Sequence, residues 1–265
     1  MSKYTRIVKG MADKDYRAEI GISQSMLKPM FTSPLHYQHQ FNVEREVTKP
    51  MLIGTATHLA CFQPKQFSEE VVVSKKFDLR KTQDKLDSAQ FQLDNAGKIV
   101  VNDDEFDLIT NMADSVRQHP IFLSTTRSGD AEVSAFSDVL PYNDIKLKGR
   151  MDWVNWDDKI VMDLKTTNAN LSNMYEVKNV INDNFYHIQN AMYLMLLEHN
   201  EIQNFRFIFI LVEKSAPHGV KCFEISENSL KKAKEKMMFA ISNIQHCVDH
   251  DAWFGYCQDS IVIDV

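Results

Sequence analysis

The chain has 265 residues, of which 44% are hydrophobic and 25% are charged, and its formal net charge at pH 7 is −6. Hydrophobic content of this size can fill a substantial core, so we expect one large domain or a domain with insertions. The negative charge excludes a protein that binds nucleic acid through overall basicity, and leaves local basic clusters or bound metal ions as the means.

None of the cysteines forms a CxxC pair, which excludes a zinc ribbon and a small disulfide framework. The four are Cys61, Cys222, Cys247 and Cys257. Four thiolates match the number that an iron–sulfur cluster needs, but scattered thiols in a reducing compartment are the better interpretation. The first 20 residues contain no apolar signal segment, and no apolar run approaches about 18 residues. We therefore expect a cytoplasmic protein with no membrane partner.

The first half of the chain alternates polar segments with short apolar elements. Residues 1–20 are mixed and polar, which predicts a flexible N-terminal segment followed by a single domain over residues 21–265. The predicted elements up to residue 120 are helices starting after Ser23 and after Ser33, a helix at 51–62, a strand at 71–73 and a helix at 105–117. The helix at 51–62 carries one histidine, His58, which is either a packing residue or a functional one.

A polar stretch over residues 75–98 contains several cations interspersed with acidic residues. Such a run is either a solvated surface or a mobile insertion that contacts phosphate. The candidate DNA-binding cations in it are Arg80, Lys81, Lys85 and Lys98.

Three successive strands are predicted at 131–139, 145–156 and 159–166. The last two alternate in polarity with period two and are separated by Asp157-Asp158, which predicts a β-hairpin with a two-residue loop. The same alternation places Met151 and Trp153 on one apolar face.

Counting outward from the loop sets the register of the hairpin. Val154 meets Val161, and Asp152 then meets Asp163, with Lys165 on the same face. Two opposed carboxylates repel, and a divalent cation that binds both would remove the repulsion. An exposed hairpin with a merely solvated polar face is the alternative. Glu132, at the start of the first of the three strands, is a possible further acidic contributor.

The second half of the chain begins with a strong helix at 185–199. Gln189 and Tyr193 are four residues apart on it and share a face, and Tyr186 lies one turn earlier. A strand at 205–212, a strand at 220–225 and a long lysine-rich helix to about residue 250 follow.

The ordered set of motifs resembles the RecB-like branch of the PD-(D/E)xK nuclease superfamily, and within it the nuclease domain of the exonuclease VIII (RecE) type. The resemblance spans roughly residues 22 to 225. It is carried by the segments GTATHLACFQPKQF, DLRKT, AEVSAFSD, LKGRMDWV, VMDLKTT, YHIQNAMYLMLLE and FIFILVEKSAP. It implies an α/β fold, a three-layer core with a mixed central β-sheet flanked by helices.

The resemblance also implies roles for individual residues. Mg²⁺, with Mn²⁺ as a substitute, would be held by His58, Asp152, Asp163 and the backbone carbonyl of Leu164. Lys165 would orient or activate the attacking water. The residues expected to contact DNA near the scissile phosphate are Gln189 and Tyr193, with Tyr186 as a further candidate.

The activity implied is Mg²⁺-dependent 5′→3′ digestion of linear double-stranded DNA that leaves 3′ single-stranded tails. The partners implied are double-stranded DNA ends, a RecT-like single-strand annealing recombinase and further copies of the chain in a ring-shaped homo-oligomer. Two alternatives stay open at this point. One is a single-strand or structure-specific RecB-like nuclease, and the other is a catalytically silent DNA-binding module.

Overall fold

The computed structural model describes residues 4–43, 46–139 and 141–256. Within them the chain forms a large sheet and a small one, both covered by helices. The strands are β1 Arg6–Val8, β2 Val71–Val73, β3 Ile99–Val101, β4 Asp130–Val139, β5 Tyr142–Asn155, β6 Ile160–Thr167, β7 Arg206–Glu213 and β8 Val220–Phe223. The helices are α1 Asp13–Ala18, α2 Gln24–Leu27, α3 Pro34–His39, α4 Lys49–Phe62, α5 Pro64–Glu70, α6 Thr82–Asp94, α7 Asp103–Gln118, α8 Pro120–Thr125, α9 Met174–Asp183, α10 Tyr186–His199 and α11 Glu227–His250.

The large sheet has the order β1-β4-β5-β6-β7-β8, and β2 pairs with β3 in the small one. Only β6 and β7 run parallel within the large sheet, so it is mixed. One hydrophobic core lies between the sheet and α10 and α11, and a second lies between the opposite face and α4 and α7. The predicted three-layer α/β fold with a mixed central sheet is confirmed.

β7 shows how the sequence produces these two cores. Its run FRFIFILV has no polar alternation, because both faces of the strand are covered. Phe207, Phe209 and Leu211 pack into the core with α10 and α11, whereas Ile210 and Val212 pack into the core with α4 and α7.

The central hairpin has the predicted register but a longer turn. Val154 pairs with Val161, and the last pair before the turn is Asn155 with Ile160. The predicted two-residue loop is wrong, because four residues, 156–159, form the turn. The Asn155 side chain accepts a hydrogen bond from the Asp158 backbone N–H at 2.8 Å, and Lys159 adopts a left-handed backbone with φ 55°. Both features close a wider turn than a two-residue hairpin loop.

The predicted common face of Met151 and Trp153 is also wrong. Met151 packs into the core with α10 and α11, whereas Trp153 packs against the core with α4 and α7. The neighbouring strand β4 changes sides at the same place. Val133 packs into the core with α10 and α11, whereas Ala131 packs against the core with α4 and α7. Between them lies Glu132, whose φ of 52° breaks the alternation of a regular strand.

The described part of the N-terminal segment forms regular structure, and its predicted flexibility stays a prediction. β1 pairs antiparallel with β4 at the edge of the sheet, and α1 follows it. Ile22 then bridges to Leu147 of β5. Sequence pattern alone misses these contacts, because β1 is only three residues long and α1 buries none of its side chains.

The described cysteines do not meet. Cys61 lies on α4 and Cys247 lies on α11, on opposite sides of the sheet, and with Cys222 they are free thiols. Cys257 lies outside the described residues. In the part of the chain that is described, no helix combines the length and apolar character needed to cross a membrane.

Candidate active site

The acidic residues of the candidate site lie side by side on three neighbouring strands. The pairs Ala131–Trp153 and Val133–Met151 flank Glu132 and put it opposite Asp152. On the other side of Asp152, the β5–β6 register puts Asp163 next to it. The recorded β5–β6 pairing ends one residue before this point, and the Asp152 carboxylate accepts the Leu164 backbone N–H at 2.7 Å instead.

His58 reaches this group from α4. Its Nε2 lies 2.6 Å from the Leu164 carbonyl oxygen, which can only accept, so Nε2 carries the proton and donates it. Nδ1 lies 3.2 Å from Oδ2 of Asp152. Burial, followed by the positive charge of Lys165, lowers the pKa of His58, which favours the neutral ring. In a neutral ring protonated at Nε2, the Nδ1 lone pair faces a carboxylate.

This arrangement fits a divalent cation. His58, Glu132 and Asp152 each offer one ligand atom, and the three atoms lie within 4.8 Å of one another. A lone pair turned toward a carboxylate is unfavourable unless a proton or a cation lies between them. One nitrogen and two carboxylate donors are ligands that Mn²⁺ and Mg²⁺ accept in proteins.

The two carboxyl groups of this triad resist being ionised together. Burial, and then the charge of Asp152, raises the pKa of Glu132 from 4.5 to about 7. Burial, and then the charge of Asp163, raises the pKa of Asp152 well above its usual value. The left-handed backbone of Glu132 is a further cost, of order 1–3 kcal/mol for a residue without glycine's freedom. The fold therefore holds these acids together at a cost in stability that a bound cation would reduce.

Asp163 has a different environment. Its side chain is 1% exposed, and Nζ of Lys165 lies 2.6 Å from Oδ1, while Nε2 of Gln189 donates to Oδ2 at 2.6 Å. Oδ2 thus accepts a hydrogen bond, whereas buried Oδ1 has the Lys165 ammonium beside it but no hydrogen bond of good geometry. Among the described residues, Asp163 lies outside the group of three candidate ligands. The Leu164 carbonyl, also predicted as a ligand, accepts from His58. As metal ligands, these two stay predictions.

Lys165 keeps its proton. Burial lowers the pKa of its ammonium, but the carboxylates of Asp163 and Asp152 outweigh burial and raise the pKa above its ordinary value. The ammonium also lies 5.2 Å from the centre of the Tyr186 ring. A protonated lysine can donate hydrogen bonds and stabilise negative charge, but it cannot accept a proton from water.

α10 places two side chains beside the acidic residues of the site. Gln189 is buried and donates to Asp163, and Tyr193, which is 9% exposed, lies one turn further along the helix. The Tyr193 ring packs on Gly149 so closely that a Cβ at that position would lie 2.8 Å from Cε1 of the ring. The structure therefore places Gln189 on Asp163 and packs Tyr193 beside it. Their predicted contact with DNA stays a prediction.

An open cleft of about 1040 Å³ leads to these residues, lined by His58, Glu132, Lys165, Gln189 and Tyr193 among others. Its walls also hold cations that the sequence did not single out, which are Arg17, Lys28, Lys148 and Arg150. Tyr186 lines the cleft as well. The predicted DNA-binding cations on and beside α6 do not line the cleft. These cations are Arg80, Lys81, Lys85 and Lys98. No spacing or motif in the sequence marks the four cleft cations, because they come together only through packing.

Comparison with known proteins agrees with this geometry. Residues 23–263 match the model of a family described as a PDDEXK-like domain of unknown function (DUF3799). The chain belongs to this family. Membership accounts for the strand-borne acids and the lysine, but it leaves the activity of the family open. No curated protein matches the chain.

Two solved structures are similar to the chain to different degrees. A “putative exonuclease” from Eubacterium rectale is similar with a TM-score of 0.66 and 15% identity, over 96% of this chain and 96% of that one. A phage-related exonuclease from Haemophilus somnus 129PT has a TM-score of 0.32 and 14% identity, over 69% of this chain and 93% of that one. The first likeness shows a shared fold. The second is too low in TM-score to support any argument.

Proposed function

We propose that this PDDEXK-like protein is a metal-dependent exodeoxyribonuclease that hydrolyses linear double-stranded DNA. The observation that carries the proposal is the combination of a His58, Glu132 and Asp152 ligand group with the adjacent Asp163–Lys165 pair. His58, Glu132 and Lys165 line an open cleft. The fold shared with a protein named as an exonuclease supports the same class of activity.

His58, Glu132 and Asp152 would hold Mg²⁺, or Mn²⁺ in its place, with Asp163 and the Leu164 carbonyl as further predicted ligands. When bound, the ion neutralises charge on the phosphate and lowers the pKa of water. The protein's own part is positioning and electrostatics. Lys165 holds its proton and stabilises negative charge that develops on phosphate oxygens, and Gln189 keeps Asp163 in place beside it.

The cleft provides cations for the DNA backbone. Lys28 donates to the Asp183 carbonyl at 2.8 Å and lies 5.5 Å from the centre of the Phe185 ring, so its ammonium is not paired with an acid there. Arg17 is paired with Asp13, and the Arg17 side chain is 76% exposed. Exposed pairs of this kind contribute little, so both cations can turn to phosphate at little cost. We propose Lys28 and Arg17 as phosphate contacts in addition to the predicted ones.

The finer features of the activity rest on the sequence resemblance. They are 5′→3′ direction, 3′ single-stranded products, a role in recombination and repair with a RecT-like annealing partner, a ring-shaped homo-oligomer and a cytoplasmic location. We propose them together, because an exonuclease that leaves 3′ tails prepares the substrate of a strand-annealing protein.

The test is digestion of linear duplex labelled at either end, with and without a 5′ phosphate. Wild type with Mg²⁺ is expected to release the 5′ label as nucleotides and to retain the 3′ strand. Asp163→Asn, which keeps the shape of the side chain but removes its charge, is expected to be inactive. Equal digestion by Asp163→Asn and wild type would contradict the site.

Two further arms separate the alternatives. Closed circular single-stranded DNA should resist the enzyme, since it has no ends, and its digestion would favour a single-strand or structure-specific nuclease. Calorimetry with Mn²⁺ and with duplex DNA tests the silent module. DNA binding without metal binding or hydrolysis would show that the chain only binds DNA.

A further inference from the structure

Arg150 connects the acidic site to the segment that precedes the family-matched region. Its Nε lies 3.0 Å from Oε2 of Glu132. Its Nη1 donates to Oδ1 of Asp13 at 2.8 Å, and its Nη2 donates to the Met11 carbonyl at 2.5 Å. The family match begins at residue 23. Two of the three partners of this guanidinium therefore lie outside the matched region.

The segment around α1 is held on the sheet by cations rather than by a core. α1 has no buried residue. Lys148, two positions before Arg150 on β5, donates to the carbonyls of Tyr16, Arg17 and Glu19 at 3.1, 3.3 and 2.6 Å. The Tyr16 ring lies about 5 Å from both cations. Besides the β1–β4 pairing and the packing of Tyr16 near Phe136, these polar contacts hold the segment on the sheet.

Glu132 has an unusual backbone and one charged neighbour. Its backbone is left-handed, which breaks the regular alternation of the strand. The Arg150 guanidinium lies against one oxygen of its carboxylate as an ion pair, although Nε makes no hydrogen bond of good geometry there, and this charge contact favours one placement of the carboxylate. Arginine suits this position, because its planar fork can bind three acceptors at once, which the single ammonium of lysine cannot do in the same geometry.

We propose that Arg150 is a positioning residue for Glu132, and that Met11 and Asp13 hold Arg150 in place. The N-terminal segment thereby raises the affinity of the site for a divalent cation, although it supplies no ligand. The inference rests on the proposed function, since it assumes that Glu132 binds the cation. Partners that orient metal ligands typically contribute a factor of about 10–100 to metal affinity.

The test measures Mn²⁺ binding to the full chain through the electron paramagnetic resonance signal of free Mn²⁺. Arg150→Gln is expected to raise the Kd about 10–100-fold. Asp13→Asn, which loosens Arg150 through an exposed pair, is expected to raise it roughly 2–5-fold. Asp15→Asn, on the same helix and equally exposed, is the matched control and should leave the Kd unchanged.

Combining substitutions shows whether Asp13 acts through Arg150. Asp13→Asn should add nothing in the Arg150→Gln background. Arg150→Lys should recover only part of the metal affinity. If thermal melting shows that Arg150→Gln does not fold, Arg150→Lys takes its place in the comparison of single and double variants. Raising the Mn²⁺ concentration should recover DNA cleavage by Arg150→Gln but not by Asp163→Asn, because the Arg150 defect is in metal affinity.

Three results would overturn the proposal. They are an unchanged Kd in Arg150→Gln, an Asp13→Asn effect that persists when Arg150 is replaced, and a low rate at saturating Mn²⁺ with a raised KM for DNA. The last would mean that Arg150 contacts the substrate. If wild type itself binds no Mn²⁺, the proposed function fails as well. If wild type binds and the variants bind equally, only the positioning role fails.

Discussion

Gly149→Ala is a sharp test of how α10 lies on the sheet. The added Cβ would lie 2.8 Å from Cε1 of Tyr193 and 2.8 Å from Cδ1 of Leu196. Leu196 is fully buried and Tyr193 nearly so, and neither side chain can turn into solvent. Overpacking of this kind costs about 1–3 kcal/mol. Alanine also restricts the unfolded chain more than glycine does, and this offsets about 0.4–1 kcal/mol of the overpacking cost. We expect a net loss of about 1–2 kcal/mol in the free energy of unfolding.

Gly54→Ala is the matched control, because it adds the same methyl group in open surroundings. Gly54 lies within α4, and the nearest atom to its added Cβ is Oγ1 of Thr166 at 3.9 Å. Alanine in a helix interior is favoured over glycine by about 0.5–1 kcal/mol, so this variant should gain stability. The two substitutions should thus have opposite signs in urea unfolding at 25 °C.

The activity of Gly149→Ala should fall further than its stability explains. Tyr193 and Gln189 lie one turn apart on α10, and Gln189 donates to Asp163, so a shift of α10 that accommodates the displaced ring disturbs the acidic site. We expect reduced hydrolysis at a temperature where circular dichroism shows the variant folded. A Gly149→Ala protein as stable as wild type, or a Gly54→Ala protein destabilised to the same degree, would refute the reasoning about α10.

Three further predictions follow from the charges of the site. Without a divalent cation, Glu132 holds its proton more tightly folded than unfolded. Its contribution to stability is therefore complete below pH 4.5 and is lost as the pH rises through about 7. At about 1.4 kcal/mol per pH unit, the free energy of unfolding falls by roughly 3 kcal/mol over this range. Glu132→Gln should therefore make the urea midpoint less dependent on pH between pH 5 and 8. An unchanged pH dependence in this variant would contradict the raised pKa of Glu132. Mn²⁺ at pH 8 should restore part of the lost stability in wild type, and a chelator should reverse the gain; no shift in melting temperature would mean that no cation binds. Gln189→Leu should cost about 1–3 kcal/mol and most of the activity, because it leaves an oxygen of buried Asp163 without its donor, and wild-type values would show that this hydrogen bond contributes little.

Much of the hairpin could be predicted because strand periodicity is a local property. The Val154–Val161 register depends only on counting from a turn, and it survives the longer turn because the added residues are symmetric about the same centre. The break at Glu132 could not be predicted in this way. Nothing in the local sequence marks a left-handed glutamate, since its conformation is imposed by surrounding strands.

The candidate site was predictable where the chemistry lies in side chains on regular elements. His58, Asp152 and Lys165 come together in the cleft or beside it. The different surroundings of Glu132 and Asp163 were not predictable. Which carboxylate faces the histidine and which is neutralised by the lysine depends on distances between elements, and spacing along the chain does not contain them.

The cleft cations show the same limit. Arg17 and Lys148 look like ordinary surface residues in the sequence, yet one lies on the cleft wall and the other is 5% exposed beneath α1. The basic run around Arg80 and Lys85, which stands out in the sequence, lies away from the cleft lining. A cluster in the sequence and a cluster in space are different properties when the cations lie on separate elements.

The Leu164 peptide joins the two halves of the site through its main chain alone. Its N–H donates to Asp152 and its carbonyl accepts from His58, while the leucine side chain is fully buried in the core with α4 and α7. Isoleucine, valine or methionine at this position would offer the same N–H and carbonyl to Asp152 and His58. Proline is the exception, because it has no N–H to give. Related chains could therefore have a different apolar residue at position 164 and keep both main-chain hydrogen bonds.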